Sequence, residues 1–270
     1  MDTASLPHCS FCAEMPEPLY IVFDIETIPL PWESFAPSQQ EFLLRGAHSE
    51  SEQERRKAEM ALSPFTAQVI CLGLQIMETT GEAEWALRSR GAYIVDPACE
   101  VGELLPEALP NGIPVYRCSE RTLLEQFWKL LDKYAGAHLV TFNGRNFDAP
   151  FLMLRSALYR IRPSRNLMEG TRYRYGGHTD LLDELCFYNP QTMGATKRFN
   201  FDFYARAFGI ESPKAHGIDG SRVAEYYHDG RLLEIAEYCL GDVAATWELF
   251  TLWYRYLRFE EKNRSGPSGT

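Results

Sequence analysis

The chain has 270 residues, enough for one large domain with insertions and a substantial core. Its composition, 45% hydrophobic and 24% charged, is that of a globular protein, and no apolar run reaches the ~18 residues of a membrane-spanning helix. A net charge of −10 excludes a simple nucleic-acid coat, but not an enzyme that joins an acidic site to a local basic track.

Residues 1–17 read as a loose, proline-containing arm without the basic leader and apolar segment of a signal peptide. Within it, His8, Cys9 and Cys12 invite a zinc site. No second pair of ligands follows, and a closed site needs four, so a flexible arm is expected. The seven cysteines are an odd number scattered through the chain, which suits a reducing, cytoplasmic compartment rather than a disulfide scaffold. Leu19 to Thr27 (LYIVFDIET) is rich in β-formers and reads as a strand. Residues 29–64 interrupt the pattern as an insertion, a proline-rich turn followed by an exposed polar helix. Ala67 to Met77 is a second, buried strand, a third is expected near Ala92–Val95, and a loop with four prolines fills 96–118.

Arg121 to Tyr134 carries apolar residues at Leu123, Leu124, Phe127, Leu130 and Leu131, the period of a helix. His138 to Phe142 is a short strand that delivers Asn143-Gly144 to a tight turn, and a helix follows from about Pro150. The longest helix is expected from about Arg231 to Arg258, and residues 261–270 read as a disordered tail by composition. The order of elements predicts an α/β fold, a mixed β-sheet flanked by helices, with residues 18–260 as one domain.

Three segments concentrate acids. Along the first strand, alternation puts Phe23 and Ile25 on one face and Asp24 with Glu26 on the other. Two adjacent carboxylates in an apolar strand repel each other and are costly to desolvate, a penalty that a divalent cation removes; alone, the pair also fits the polar face of an edge strand. In TFNGRNFDAPFL (141–152), Asp148 opens a helix, where an acid is favoured as a cap even without a metal. In the last helix, Leu232, Ile235, Ala236, Cys239, Val243, Trp247 and Phe250 form an apolar stripe. Tyr238 and Asp242, four residues apart, lie on one face beside it.

Taken in order, the strand DxE, the Asp opening a helix and the late YxxxD resemble the three motifs of the DEDDy 3′–5′ exonucleases. NGRNFDAPFL is similar to the proofreading exonuclease domain of family B DNA polymerases, and HGIDGSRVAEYY (216–227) looks like stand-alone members of that group. The resemblance runs from about Leu19 to Tyr254. It implies a ribonuclease H-like fold and metal-dependent hydrolysis from the free 3′ end of a nucleic-acid strand, single-stranded DNA or RNA. Asp24 would bridge two Mg²⁺ or Mn²⁺ ions, Glu26 and Asp242 would complete the first, and Asp148 would hold the second through water. Tyr238 would hydrogen-bond the attacking water, while Asn143 and the backbone at Thr27 and Ile28 would position the terminal nucleotide. Hard cations with oxygen ligands suit this set.

Two other readings compete. Asp24-Ile-Glu26-Thr27 and Gly241-Asp242 echo haloacid dehalogenase phosphatases, but Thr246 stands where that motif needs its second acid, and Gly241-Asp242 lies inside a helical stripe. A binding module that kept the fold and lost catalysis is the other; retention of all four acids argues against it. Arg145, Arg155, Arg160, Arg162, Arg165, Arg172 and Arg174, interrupted only by Asp148 and Glu169, form a candidate strand track or a solvated surface. His178-Thr-Asp180 reads as a structural pair, and Lys214, His216 and Arg222 as weak candidates for phosphate. No membrane partner is expected.

Overall fold

The computed structural model describes residues 19–211 and 220–259. The arm with His8, Cys9 and Cys12, the residues Lys214 and His216, and the tail lie outside the described residues. A seven-stranded mixed sheet forms among the described residues in the order β4-β5-β3-β2-β1-β6-β7. At its centre, β1 (Leu19–Pro29), β2 (Ala67–Gly81) and β3 (Glu84–Val95) make an antiparallel meander. On the other side of β1, β6 (His138–Thr141) and β7 (His178–Asp180) add in parallel.

The register of β1 sets the two faces of the sheet. Asp24 lies opposite Gly73 and Glu26 opposite Cys71, and a bulge follows between Glu26 and Thr27. Ile21, Phe23 and Ile25 alternate onto one face; the extra residue at the bulge is Ile70 of β2, and Ile28 beyond it is buried in the same core. Helices α3 (Glu120–Lys133) and α4 (Asp148–Leu158) lie on that face, where the rings of Phe23 and Phe127 meet at 5.4 Å. Burying a phenyl ring of this kind contributes about 1.5–3 kcal/mol. Helix α8 (Leu232–Tyr256) covers the opposite face, with Trp247 and Phe250 against Tyr20. Between them run the short helices α5 (Leu181–Leu185), α6 (Phe201–Ala207) and α7 (Val223–His228).

One buried ion pair ties the first layer together. Glu120, in the first turn of α3, accepts from the Arg155 guanidinium of α4, from Tyr159 Oη and from the Val69 amide of β2. The pair is tolerated because every remaining lone pair of the carboxylate has a partner.

The structure corrects two expectations. The loop at 96–118 contains β4 (Leu105–Ala108) and β5 (Pro114–Cys118), the latter parallel to Ala92–Val95. Pro114 opens its strand and Pro106 sits in the edge strand, two positions where a missing N–H is harmless. The third strand is also longer than Ala92–Val95, because its first half (EWALRSR) pairs with β2 while largely exposed, and exposure removes the apolar signal. The insertion at 29–64 forms α1 (Pro37–Leu43) and α2 (Glu50–Glu59), neither with a buried residue. Ser49 and Glu52 close a reciprocal capping box at the start of α2.

Candidate active site

Asp24 and Glu26 stand half-buried on the α8 face of β1. They meet α8 because that helix lies unusually close to the sheet at Gly73: a Cβ there would sit 2.9 Å from Cys239 Sγ and 3.0 Å from Val243 Cγ2. Only a residue without a side chain permits that approach. Cys239 is fully buried at the contact, its thiol donating to the Asp24 carbonyl at 3.4 Å and lying 3.8 Å from Asp24 Oδ2. The same turn of helix carries Tyr238 and Asp242, joined by a hydrogen bond, toward the two strand acids.

Asp148 arrives from the other side of β1. After β6 the chain turns at Asn143, which adopts φ 63°, and at Gly144, where a Cβ would fall 2.4 Å from Thr141 Oγ1. The Asp180 carboxylate, fully buried at the end of β7, accepts from the amides of Asn143 at 2.8 Å and Arg145 at 2.9 Å. It also caps α5 through Leu182 N at 3.1 Å. Pinned in this way, the turn starts α4 at Asp148 itself, two residues before the expected Pro150. Asp148 is not the cap of that helix: its Oδ1 accepts from the Ile25 amide at 3.0 Å, beyond the point where β6 stops pairing with β1. That single bond, across 123 residues, fixes the third acid beside the first two.

Burial, and then the neighbouring acids Asp148, Asp242 and Glu26, raise the Asp24 carboxyl well above its usual range. Glu26 is raised for the same reasons, by burial and then by Asp242 and Asp148. Burial pushes Asp148 up to about 7, with Asp180 and Asp242 adding to it against the backbone amides that hold its charge. The Tyr238 hydroxyl is raised by burial and then by Asp242, so it stays protonated near neutral pH. Asp24, Glu26 and Asp148, all with raised affinity for positive charge, beside the carboxylate of Asp242 suit a hard divalent cation. Asp24, Glu26 and Cys239 bring ligand atoms within 4.8 Å of one another. Burial holds the Cys239 thiol protonated, which leaves the carboxylate oxygens as the donors.

A cleft of about 340 Å³ reaches this group, lined by Asp24, Tyr238 and Asp242 together with Phe142, Asn143, Phe199 and Phe201. Of the expected substrate contacts, Asn143 lines the cleft; its Oδ1 accepts from Asn146 Nδ2 at 3.0 Å. Thr27 and Ile28 do not. The Thr27 hydroxyl donates to the Ala61 carbonyl at 2.8 Å, and the Ile28 side chain is buried at the edge of a separate groove.

The arginine track divides. Arg145 is buried, donating to the carbonyls of Leu167 and Glu169 and covering the Tyr175 ring at 3.8 Å. Arg155 serves Glu120, and Arg165 donates to the carbonyls of Ala137 and Gly177. Arg160, Arg162, Arg172 and Arg174 remain exposed. Arg222 pairs with Glu225. His178 and Asp180 are not bonded to each other: His178 Nε2 meets Thr141 Oγ1 at 2.8 Å while Asp180 holds the turn. Gly73 is the supporting residue that sequence reasoning missed; Gly144 was read into the turn, and Asp180 only as a structural partner of His178, not as the anchor of that turn. Glycine inside an apolar strand signals a close approach, and Asp before Leu-Leu signals a helix cap, so both kinds of hint were present.

Two family models match the chain. Residues 111–264 match the family described as "Predicted 3'-5' exonuclease related to the exonuclease domain of PolB", and residues 5–177 match "DNA polymerase family B, exonuclease domain". No curated protein shows significant similarity to the chain. Among solved structures, the family B DNA polymerase from the hyperthermophilic archaeon Pyrobaculum calidifontis superposes with a TM-score of 0.50 at 17% identity, over 89% of this chain and 24% of the polymerase. The chain thus spans about a quarter of the length of that enzyme, and the likeness establishes a ribonuclease H-like fold.

Proposed function

Because the chain belongs to the 3′–5′ exonucleases related to the exonuclease domain of PolB, we propose that it hydrolyses phosphodiester bonds one nucleotide at a time from the free 3′ end of a nucleic-acid strand, single-stranded DNA before RNA. The observation that carries this reading is the convergence of Asp24, Glu26, Asp148 and Asp242 from β1, α4 and α8, in which Asp242 raises the proton affinity of the other three. Those four would hold Mg²⁺ or Mn²⁺, two ions per site. Bound there, divalent ions lower the pKa of the attacking water and stabilise charge on the leaving oxygen.

The chain's own groups do the rest. Tyr238, kept protonated and bonded to Asp242, orients the attacking water rather than removing its proton. Asp180 fixes the turn that presents Asn143 and Asp148. Asp242 lies in the middle of α8 rather than on the end of a strand, which is not the setting that a haloacid dehalogenase phosphatase requires. We read residues 18–260 as one exonuclease domain with insertions at 29–64 and 96–118. Among the described residues, Cys71, Cys99, Cys118, Cys186 and Cys239 are free thiols and no helix is long and apolar enough to cross a membrane; the thiols support a reducing, cytoplasmic setting.

End-labelled linear and circular oligonucleotides with Mn²⁺ test the proposal. Mononucleotides should appear from linear strands with a 3′-hydroxyl, circles should resist, and excess chelator should stop the reaction. Asp24→Asn should lower turnover by several orders of magnitude and, by relieving repulsion, raise the melting temperature of the metal-free protein. Equal cutting of circles, or full activity of Asp24→Asn, overturns the reading.

A further inference from the structure

On β3, Arg90 lies opposite Gln75 and two residues before Ala92, which lies opposite Gly73. Alternation therefore puts Arg90 on the α8 face of the sheet, one step along from the point where the helix presses closest. Its guanidinium donates through Nη2 to the carbonyl of Leu240, 150 residues away. Leu240 is the central residue of the turn that carries Tyr238 and Asp242.

Nothing in the packing calls for a cation at this place. Arg90 is half-buried, and among the described residues its Nε is buried without a hydrogen-bond partner and no carboxylate pairs with it. Burial lowers its pKa with no acid to offset it. Taking a charge out of water without an opposite charge is costly, and an apolar side chain of the same length would fill the space more cheaply. The Leu240 carbonyl, inside an unbroken helix, already accepts the amide four residues on, so Arg90 takes up its second lone pair.

What the contact provides is direction. Much of α8 meets the sheet through apolar side chains such as Val243, Trp247 and Phe250, and apolar packing is non-directional, so it specifies rotation and axial position only weakly. The turn also contains Gly241, and glycine inside a helix loosens the backbone around it. At this weak point two consecutive residues are tied to different strands. Cys239 donates its thiol to the Asp24 carbonyl of β1, and Leu240 accepts from Arg90 of β3. A charged donor makes the second tie the stronger.

We propose that Arg90 is a positioning residue of the acid site: by gripping Leu240 it holds this turn of α8 so that Asp242 reaches the bound ion and Tyr238 the attacking water. The inference rests on the function proposed above.

Metal binding tests it without turnover. The affinity of the full chain for Mn²⁺ is measured from the loss of the free-ion electron paramagnetic resonance signal, with thermal melting of each variant alongside. Arg90→Met keeps a long apolar stem and removes the donor. It should bind Mn²⁺ about tenfold more weakly, the lower end of what losing a residue that orients a metal ligand costs. It should nevertheless melt no lower than wild type, because a buried charge is removed with the donor. Arg90→Lys keeps a charged donor on a long stem, enough for a single carbonyl, and should recover most of the affinity. Arg90→Gln, polar but too short to reach Leu240, repeats the loss with a second side chain should the methionine variant fold poorly. Leu131→Val, a trimmed core residue of α3, should lower the melting temperature and leave Mn²⁺ binding unchanged. On an oligonucleotide, Arg90→Met should lose kcat with KM nearly unchanged. If Arg90→Met and Arg90→Gln bind Mn²⁺ as wild type does, or if Arg90→Lys is as weak as Arg90→Met, Arg90 is packing and the proposal is wrong. Mn²⁺ binding that falls in Arg90→Met while wild type releases no nucleotide keeps the positioning role and loses the exonuclease. Release by wild type with Mn²⁺ binding indifferent to position 90 does the opposite.

Discussion

Tyr238 and Asp242 sit one helical turn apart and are assigned different work. Phenylalanine at 238 keeps the ring and removes only the hydroxyl that faces the acids. Tyr238→Phe should therefore lower kcat by about ten- to a thousandfold with KM nearly unchanged, as expected for a hydrogen bond made chiefly in the transition state. Asp242→Ala should lose metal affinity as well as rate. Single-turnover kinetics across a Mg²⁺ titration measures both, and a Tyr238→Phe enzyme as fast as wild type would reduce the tyrosine to packing. His178 gives a prediction of another kind. Burial, with Arg145 and His138 adding to it, lowers its pKa to about 3. The folded protein keeps it neutral while the unfolded chain takes up a proton below about pH 6.5, so its stabilising effect is complete above that value and declines as pH falls toward 3. Asp180 runs the other way: burial raises it to about 6, so acid relieves it. His178→Gln keeps a hydrogen-bonding group for Thr141 without the titration, and cancels the acids by comparison. Relative to wild type the variant should gain roughly 2–3 kcal/mol between pH 6.5 and 4.5, read from denaturant melts. Parallel pH profiles would show that His178 does not titrate in this way.

At the scale of elements, the site depends on how closely α8 approaches β1 and β2. Gly73 sets that distance. Gly73→Ala places a methyl against Cys239 and Val243, and overpacking of this kind costs about 1–3 kcal/mol. The expected result is a fall in activity larger than the loss of stability explains, because the displaced helix carries Tyr238 and Asp242. Gly136→Ala is the matched control: nothing lies within 4 Å of its Cβ position, and its stability should stay within about 0.5 kcal/mol of wild type. Equal effects of the two substitutions on activity would show that the close approach at Gly73 does not position the acids.

For the whole molecule, a net charge of −10 has to be reconciled with the polyanionic substrate proposed above. Three of the seven arginines in the basic stretch are committed to carbonyls and to Glu120, which leaves Arg160, Arg162, Arg172 and Arg174 exposed as the candidates for contact with the proposed strand. Replacing those four with alanine should weaken oligonucleotide binding and flatten its salt dependence, by about 0.7 in the log–log slope for each phosphate of a single strand that is no longer neutralised. Titrations at several salt concentrations measure the slope. An unchanged slope assigns these arginines to solvation of an acidic protein.

By itself the sequence determined the periodic and chemical features. The alternation of β1 put Asp24 and Glu26 on the face opposite Phe23 and Ile25, the i,i+4 spacing joined Tyr238 to Asp242, and the motifs around Asp148 pointed to the family. These are local properties, dictated by the repeat of one strand or one helix. Only the tertiary structure decided what those residues meet. The Asp148–Ile25 bond spans 123 residues, the grip of Asp180 on the Asn143 turn depends on β6 and β7 lying side by side, and the packing of α8 on Gly73 joins residues far apart in the chain. The exposed half of β3 and the edge strand β4 escaped the sequence for the same reason: edge pairing satisfies backbone groups without leaving a pattern of buried side chains, and β5, between β4 and β3, is short and opens on a proline. Seven arginines in one stretch looked alike in one dimension, and burial and bonding separated those that hold the fold from those left exposed.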